Sequence, residues 1–311
     1  MKGEDIKAYK VIHHNDFAYN PARINVGSIA KYNGYEPCMI SSLYVCFKAN
    51  NEVNEDWLMH LLRTPKVQYY YQLNGEGGVR IYLFYPNFAR IRTSIPSIEE
   101  QKKIAKILSI IDERIATQNK IIDNLQSLIK GLRELLFKPL LSYFVKLGNI
   151  AQITNGSGDV QDAVSDYQNG LYPFFDRSDE MKYFRDYSFD AEAIIYAGEG
   201  AEFLPRYYNG KFALHQRCYA ITTFSSDFLP RYIYHYLQTQ NNYFIRNAVG
   251  STVPSLRIDC FLKIGIPIAD KEIQDSIINR LDRLSEKINN EKNILSLYQR
   301  QKTFLLQKLF I

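Results

Sequence analysis

The chain repeats itself, and each repeat ends in a long heptad pattern. The stretch IPSIEEQKKIAKILSIIDERIATQNKIIDNLQSLIKGLRELLF, starting at Ile95, recurs as IPIADKEIQDSIINRLDRLSEKINNEKNILSLYQRQKTFLLQKLF from Ile266. With Gln101 set on Gln274, the register holds without a gap to Phe137 and Phe310. Apolar residues of the first copy fall at Ile104, Leu108, Ile111, Ile115, Ile122, Leu125, Ile129, Leu132 and Leu136. The second copy repeats them as Ile277, Leu281, Leu284, Ile288, Leu295, Tyr298, Leu305 and Leu309. Steps alternating between four and three residues make a heptad seam, narrower than the face of a helix lying on a globular core. Each predicted helix runs about 38 residues, or ~57 Å at 1.5 Å per residue. So narrow a seam requires a second helix, and the two copies are expected to pack on each other. Gln118 and Glu291 interrupt both seams at the same place, and Lys302 stands where the first copy has Ile129. A polar residue there costs stability and fixes register if it stays in the seam, and does neither if it has slipped to the surface.

The repeat continues upstream of the helices. Cys46-Phe47, a polar turn and Asp56-Trp57-Leu58 match Cys218-Tyr219, Ser225-Ser226-Asp227 and Phe228-Leu229, while Tyr69-Tyr70-Tyr71 and Asn74 match Tyr243-Phe244 and Asn247. Short strand-like runs, Ile194 to Ala197 and Cys218 to Thr223, alternate with Gly, Asn and Pro turns. The expected fold class is mixed α/β: two similar globular units, each followed by a long helix. About fifty residues, beginning VKLGNIAQITNGSGD at Val145, precede the strand at Ile194, against about twenty before its match near Phe17 to Asn20. The first unit is therefore expected to be shortened at its N-terminal side.

Three hundred and eleven residues, 46% hydrophobic and 23% charged, describe a folded globular chain of about two domains. No apolar run approaches the ~20 residues that span a bilayer, so no membrane role is expected. The first residues, MKGEDIKAYKVIHHND, lack the apolar core of a secretion signal. Cys38, Cys46, Cys218 and Cys260 form no CxxC pair, which fits reduced thiols in a cytoplasm. A net charge of +5 permits a polyanionic partner, and 24 Tyr with 18 Phe suit stacking and hydrogen bonding at a polar surface as well as packing in strands.

No catalytic, cofactor or metal site is expected. The chain has no GxxxxGK[ST] loop, and Gly75-Glu76-Gly77-Gly78 and Gly156-Ser157-Gly158 read as turns. Asn20-Pro21-Ala22-Arg23 lacks the second proline and the aromatic of the Asn-Pro-Pro-aromatic motif with which adenine methyltransferases hold a flipped base. Glu180-Met181-Lys182, with aspartates upstream, offers the residue types of a metal-dependent nuclease, but such combinations arise freely in charged loops. His13-His14 with Asp16 could ligate a metal, though adjacent histidines in a strand point opposite ways.

The junction Ile95-Pro96 with Glu99-Glu100-Gln101, followed by a long heptad helix and duplicated once, resembles the specificity subunit of type I restriction-modification systems. LGNIAQITNG at Leu147 is similar to that family's domain opening, and YNPARINVGSIA at Tyr19 to a frequent stretch inside its target recognition domains; the second junction, Glu272-Ile273-Gln274, matches approximately. The resemblance implies a first target recognition domain over residues 1–98, a helix over 99–138, a second such domain over 139–270 and a helix over 271–311. It also implies a non-catalytic DNA reader. Each domain would read half of a bipartite double-stranded target, and the helices, paired as an antiparallel coiled coil, would set the distance between halves. Two adenine methyltransferase subunits would dock on the helices, with restriction and translocase subunits joining the complex. The rival reading is a duplicated coiled-coil scaffold in which the shortened half reads little or no DNA.

Phosphates take Arg, Lys, Asn and Ser, and purine edges take bidentate Arg, Asn or Gln. The leading candidates are Arg206, Tyr207, Tyr208 and Lys211, expected in a turn, followed by Gln216 and Arg217. Asn20, Arg23, Asn25, Ser28, Lys31 and Tyr32 occupy the corresponding region of the first domain. Thr252, Ser255 and Arg257 form a second loop, with Arg80 their counterpart in the first domain.

Overall fold

The computed structural model describes residues 8–77, 81–178 and 180–310. Two compact units result, Met1–Lys120 with Lys292–Ile311, and Ile121–Glu291. They do not follow chain order: each takes in part of both long helices. Among the described residues no helix is long and apolar enough to cross a membrane.

The first unit holds strands β1 (Lys10–Ile12), β2 (Phe17–Tyr19), β3 (Ile29–Lys31), β4 (Cys38–Ile40) and β5 (Val45–Phe47), then helices α1 (Glu55–Leu62), α2 (Pro65–Asn74), α3 (Tyr85–Phe88) and the start of α4 (Ile98–Phe137). Strand β2 lies between β3 and β5, antiparallel to both, while β1 and β4 form a separate ribbon. Local chemistry sets the helix starts. The Asn54 side chain accepts from the Trp57 amide at 3.0 Å, and Thr64 caps α2 ahead of Pro65. The core gathers Phe17, Tyr19, Trp57, Leu61, Val67 and Tyr71, and Phe310 packs on Trp57 with ring centroids 5.7 Å apart.

The second unit contains β6 (Phe144–Lys146), β7 (Gln152–Asn155), β8 (Tyr172–Phe175), β9 (Lys182–Phe184), β10 (Phe189–Ala197), β11 (Arg206–Leu214), β12 (Cys218–Thr222), α5 (Pro230–Leu237), α6 (Asn241–Asn247), α7 (Ile258–Lys263), β13 (Gly265–Pro267) and the first part of α8 (Lys271–Leu309). Its main sheet has the order β7-β12-β10-β11-β8-β9, antiparallel except for β11 against β8. Strand β10 is buried on both faces, as its near-continuous apolar run requires. Ile194 and Tyr196 share a core with the helices, while Ala193 and Ile195 pack against Phe175, Phe212 and Leu214 on the other face. The arrangement β12-β10-β11 repeats β5-β2-β3 of the first unit in order and direction, and Cys218 and Cys46 each pair with an alanine of the central strand, Ala197 and Ala18. The duplication read from the helices thus extends into both heads.

A buried glutamine ties each long helix to its head in the same way. Gln101 Oε1 accepts from the Asn54 amide at 2.7 Å, and its Nε2 donates to the carbonyls of Glu52 and Pro96, both at 2.9 Å. Gln274 Oε1 accepts from the Leu229 amide at 2.8 Å, and its Nε2 donates to the carbonyls of Asp227 and Ala269 at 2.9 and 2.8 Å. Both side chains are completely buried.

Every seam position from Ile104 to Leu136 and from Ile277 to Leu309 is buried or half-buried. Gln118 and Glu291 are buried as well, so neither has slipped to the surface; Glu291 accepts an ion pair from Lys287 at 2.6 Å. Within the first unit the helices run antiparallel: Lys302 Nζ lies 2.5 Å from Asp112 Oδ1, and Arg114 stands 5.8 Å over the Tyr298 ring. The break at Lys302 is therefore answered by an acid on the facing helix.

A second tie joins α5 to α8. His235, fully buried, has its Nε2 2.8 Å from Asp282 Oδ1, and Arg231 pairs with the same carboxylate at 2.7 Å. Burial pushes the His235 pKa down to about 4, outweighing the opposing pull of Asp282. The folded ring stays neutral down to that pH, whereas the unfolded chain protonates near 6.5. Between those values the unfolded state holds the extra proton, so stability falls as pH drops from about 6.5 to 4. The loss is bounded at roughly 3 kcal/mol, at about 1.4 kcal/mol per pH unit. Urea denaturation across this range should show the slope, and a His235→Asn variant should flatten it. An unchanged slope in the variant would assign the effect to another group.

A candidate nucleic-acid interface

Five segments of the second unit converge at one end of its sheet: the exits of β7, β8 and β10, the turn from β11 to β12, and the loop before α7. The exits of β8 and β10 and the β11–β12 turn enclose, with Lys182 of β9, a cleft of about 560 Å³ whose lining includes Asp176, Arg177, Glu199, Gln216 and Arg217. A second hollow, of about 370 Å³, shares Gly198, Glu199, Gln216 and Arg217 and adds Asn155, Ser255 and Arg257.

Glycines allow this convergence. A Cβ at Gly156 would run into the carbonyl of Leu214, and one at Gly198 into the carbonyl of Arg217. The amides of Ser157 and Gly158 donate to Leu214 O at 3.1 and 3.0 Å, and the Gln216 amide donates to Gly158 O at 3.0 Å. The expected turn at Gly156-Ser157-Gly158 is therefore a brace that holds the Gln216-Arg217 turn.

The cleft mixes bound and available charge. Lys182 Nζ pairs with Asp176 Oδ2 at 2.6 Å, and Asp176 Oδ1 accepts from the Ser178 amide at 2.7 Å. Arg217 pairs with Glu199 Oε1 at 2.6 Å, while Gln216, Arg217 and Arg257 are exposed. Burial pushes the Cys218 thiol up to about 11, so it stays protonated at neutral pH and is no nucleophile. Among the described residues no three His, Cys, Asp or Glu side chains gather to hold a metal. His13 donates its amide to Asp16 at 2.8 Å, whereas His14 lies 3.2 Å from Gly34 O and stacks on Tyr35.

Of the sequence candidates, Gln216, Arg217, Ser255 and Arg257 meet at the second hollow, and exposed Thr252 lies on the loop leading to it. The expectation of a turn at Arg206 to Lys211 is corrected: these residues form the first part of β11. Polar and aromatic residues there read as turn-formers, but the backbone pairs with β10, and several side chains engage neighbouring strands, connections and α5. Arg206 donates to the carbonyls of Asp176 and Ser178 and lies 5.2 Å over Phe175. Tyr207 donates to Glu192 and supports Arg231, Tyr208 packs on Phe212, and Lys211 lies over Tyr187.

In the first unit the candidates follow one another along the β2–β3 connection and β3. Asn20 Oδ1 accepts from the Ala22 amide at 3.0 Å, Arg23 is exposed, and Asn25 and Ser28 are half-buried. Lys31 pairs with Asp56 at 2.5 Å, and Tyr32 donates to Glu36 O at 2.7 Å. Arg80 lies outside the described residues. Sequence reasoning did not select Asn155, Arg177 or Glu199; the only local signal was Gly198-Glu199-Gly200 at the end of an apolar strand.

Comparison with known proteins matches residues 9–127 and 141–297 to the family described as "Type I restriction modification DNA specificity domain". The type I restriction enzyme EcoDI specificity subunit of Escherichia coli is 28% identical over 148 residues, 48% of this chain and 32% of that one. The type I restriction enzyme MjaVIII specificity subunit of Methanocaldococcus jannaschii is 34% identical over 100 residues, 32% and 23% of the two chains. The aligned stretches thus span about a third or less of these curated relatives. Among solved structures, the S subunit of a type I restriction-modification system from M. genitalium superposes with a TM-score of 0.67 at 15% identity, covering 96% of this chain and 83% of that one. That likeness establishes the fold.

Proposed function

The chain belongs to the type I restriction-modification DNA specificity family, and on that premise we propose that it is the non-catalytic, sequence-reading component of such a system. One observation carries the proposal: Gln216, Arg217, Ser255 and Arg257, from two separate loops, line adjoining hollows at one end of the sheet. Glutamine and arginine are side chains that read purine edges in the major groove, and arginine and serine also bind phosphate. Each unit reads one half of a bipartite double-stranded target, the first through the β2–β3 connection. The long helices hold the heads and carry two adenine methyltransferase subunits, through which restriction and translocase subunits join. Methyl transfer and cleavage belong to those partners, and the complex works in the cytoplasm.

The test is methylation mapping of DNA modified by the chain together with the methyltransferase of its own system. A bipartite motif is expected. Arg217→Ala combined with Arg257→Ala should weaken binding to that motif by at least tenfold at fixed salt, since one good base contact contributes about 1–3 kcal/mol. The double variant should still assemble with the methyltransferase. Unchanged binding would remove the cleft from the interface, and a complex that modified no defined motif would favour the scaffold reading.

A further inference from the structure

We propose that Glu199 is a specificity-determining residue that reads, together with Arg217, the two edges of a single G·C pair; this rests on the DNA-reading function proposed above. A carboxylate repels phosphates, so a cleft serving only to bind the DNA backbone gains nothing from one. The two acids of this cleft differ in how their oxygens are used. Asp176 is nearly inaccessible and both its oxygens are occupied, by the Ser178 amide and the Lys182 ammonium. Glu199 places Arg217 and the Ser255 hydroxyl on the same oxygen, Oε1, at 2.6 and 3.4 Å. Its Oε2 has no hydrogen-bond partner among the described residues, an open acceptor in a cleft otherwise rich in donors.

The backbones beneath the pair are fixed while the pair itself can open. Glu199 bridges to Ser255, the Gly200 amide donates to Pro254 O at 3.1 Å, and the Leu256 amide donates to Gly198 O at 2.8 Å. On the opposite side, the Arg217 amide donates to His215 Nδ1 at 3.2 Å, and the Cys218 amide to His215 O at 2.8 Å. Yet the Arg217 side chain is 64% exposed against 20% for Glu199. An ion pair this open to water contributes little to the fold and separates readily. Its partners suit the major-groove edges of one base pair: guanine offers acceptors to an arginine fork, and cytosine offers an N4 donor to a carboxylate.

The test is selection of bound duplexes from a randomised double-stranded DNA pool by the full chain, comparing wild type with Glu199→Gln and Arg217→Ala. The wild type should enrich a motif with a G·C pair at one position. Both variants should lose preference at that same position, by roughly tenfold, and keep the rest of the motif. Glutamine pairs with adenine, so Glu199→Gln should also admit adenine where cytosine was required. Thermal unfolding of the isosteric Glu199→Gln variant should match wild type, which separates readout from folding. An unchanged motif in Glu199→Gln, a uniform gain in affinity without change of motif, or loss of preference at a position other than that of Arg217→Ala would each overturn the assignment while the DNA-reading function stood. A wild-type chain that enriched no motif would overturn that function, and this inference with it.

Discussion

Replacing Gln274 by alanine is expected to destabilise the second unit by roughly 3–6 kcal/mol and to detach the start of α8 from its head. The substitution leaves the Leu229 amide and the carbonyls of Asp227 and Ala269 without the partners they now share. These groups are only partly buried, so each one deprived of its partner costs about 1–2 kcal/mol, toward the lower end of the penalty for an unpaired backbone group. Three such losses are a large share of the ~5–15 kcal/mol that holds a domain together. Gln101→Ala should do the same to the first unit, where the Asn54 amide and two carbonyls lose their partners. Hydrogen exchange at the Leu229 and Asn54 amides gives the most direct reading, because each donates to the glutamine being removed. Gln274→Glu offers a sharper chemical test. It keeps the acceptor, loses both donors and places a carboxylate in a fully buried site, so it should be at least as damaging as alanine. Protection at Leu229 unchanged in Gln274→Ala, with less than about 0.5 kcal/mol lost in denaturant, would show that the seam alone docks the helix.

Inserting one heptad into each long helix, after Ile115 and after Ile288, is expected to move the two modified half-sites about three base pairs further apart. Seven residues keep the seam in phase, and every seam position on which that phase depends is buried or half-buried. The insertion adds ~10.5 Å at 1.5 Å per residue, which along B-DNA at ~3.4 Å per base pair is about three pairs. The duplex also turns by roughly 100° over that distance, at about 10.5 pairs per turn, so some activity should be lost to strain. Five residues instead of seven would rotate the seam out of register and should abolish methyltransferase docking. The measurement is the modified motif, mapped with the partner methyltransferase. A lengthened protein that stayed active on sites of the original spacing would remove the helices as the determinant of distance, and with them this part of the proposed function.

The sequence by itself determined the features that depend on periodicity and local chemistry. Both long helices, their seams and the equivalence of Gln101 with Gln274 were legible, because heptad spacing states which side chains a helix must bury whatever lies opposite. Helix starts at Asn54 and Thr64 are likewise local, since a cap is a bond between neighbours. Tertiary structure alone decided what Gln101 and Gln274 are for, because their partners lie up to about fifty residues away. It also decided the fate of Arg206 to Lys211. Polar and aromatic residues flanking Gly210 read as a turn, but pairing with β10 all along this stretch overrides that local preference and holds it extended. The cleft could not be read from the chain for the same reason. Its lining comes from Asn155 to Arg257, segments brought together only because the order β7-β12-β10-β11-β8 places their ends side by side. Gly156 and Gly198 look like ordinary loop glycines in sequence. Only the approach of the Leu214 and Arg217 carbonyls shows that these positions admit no side chain.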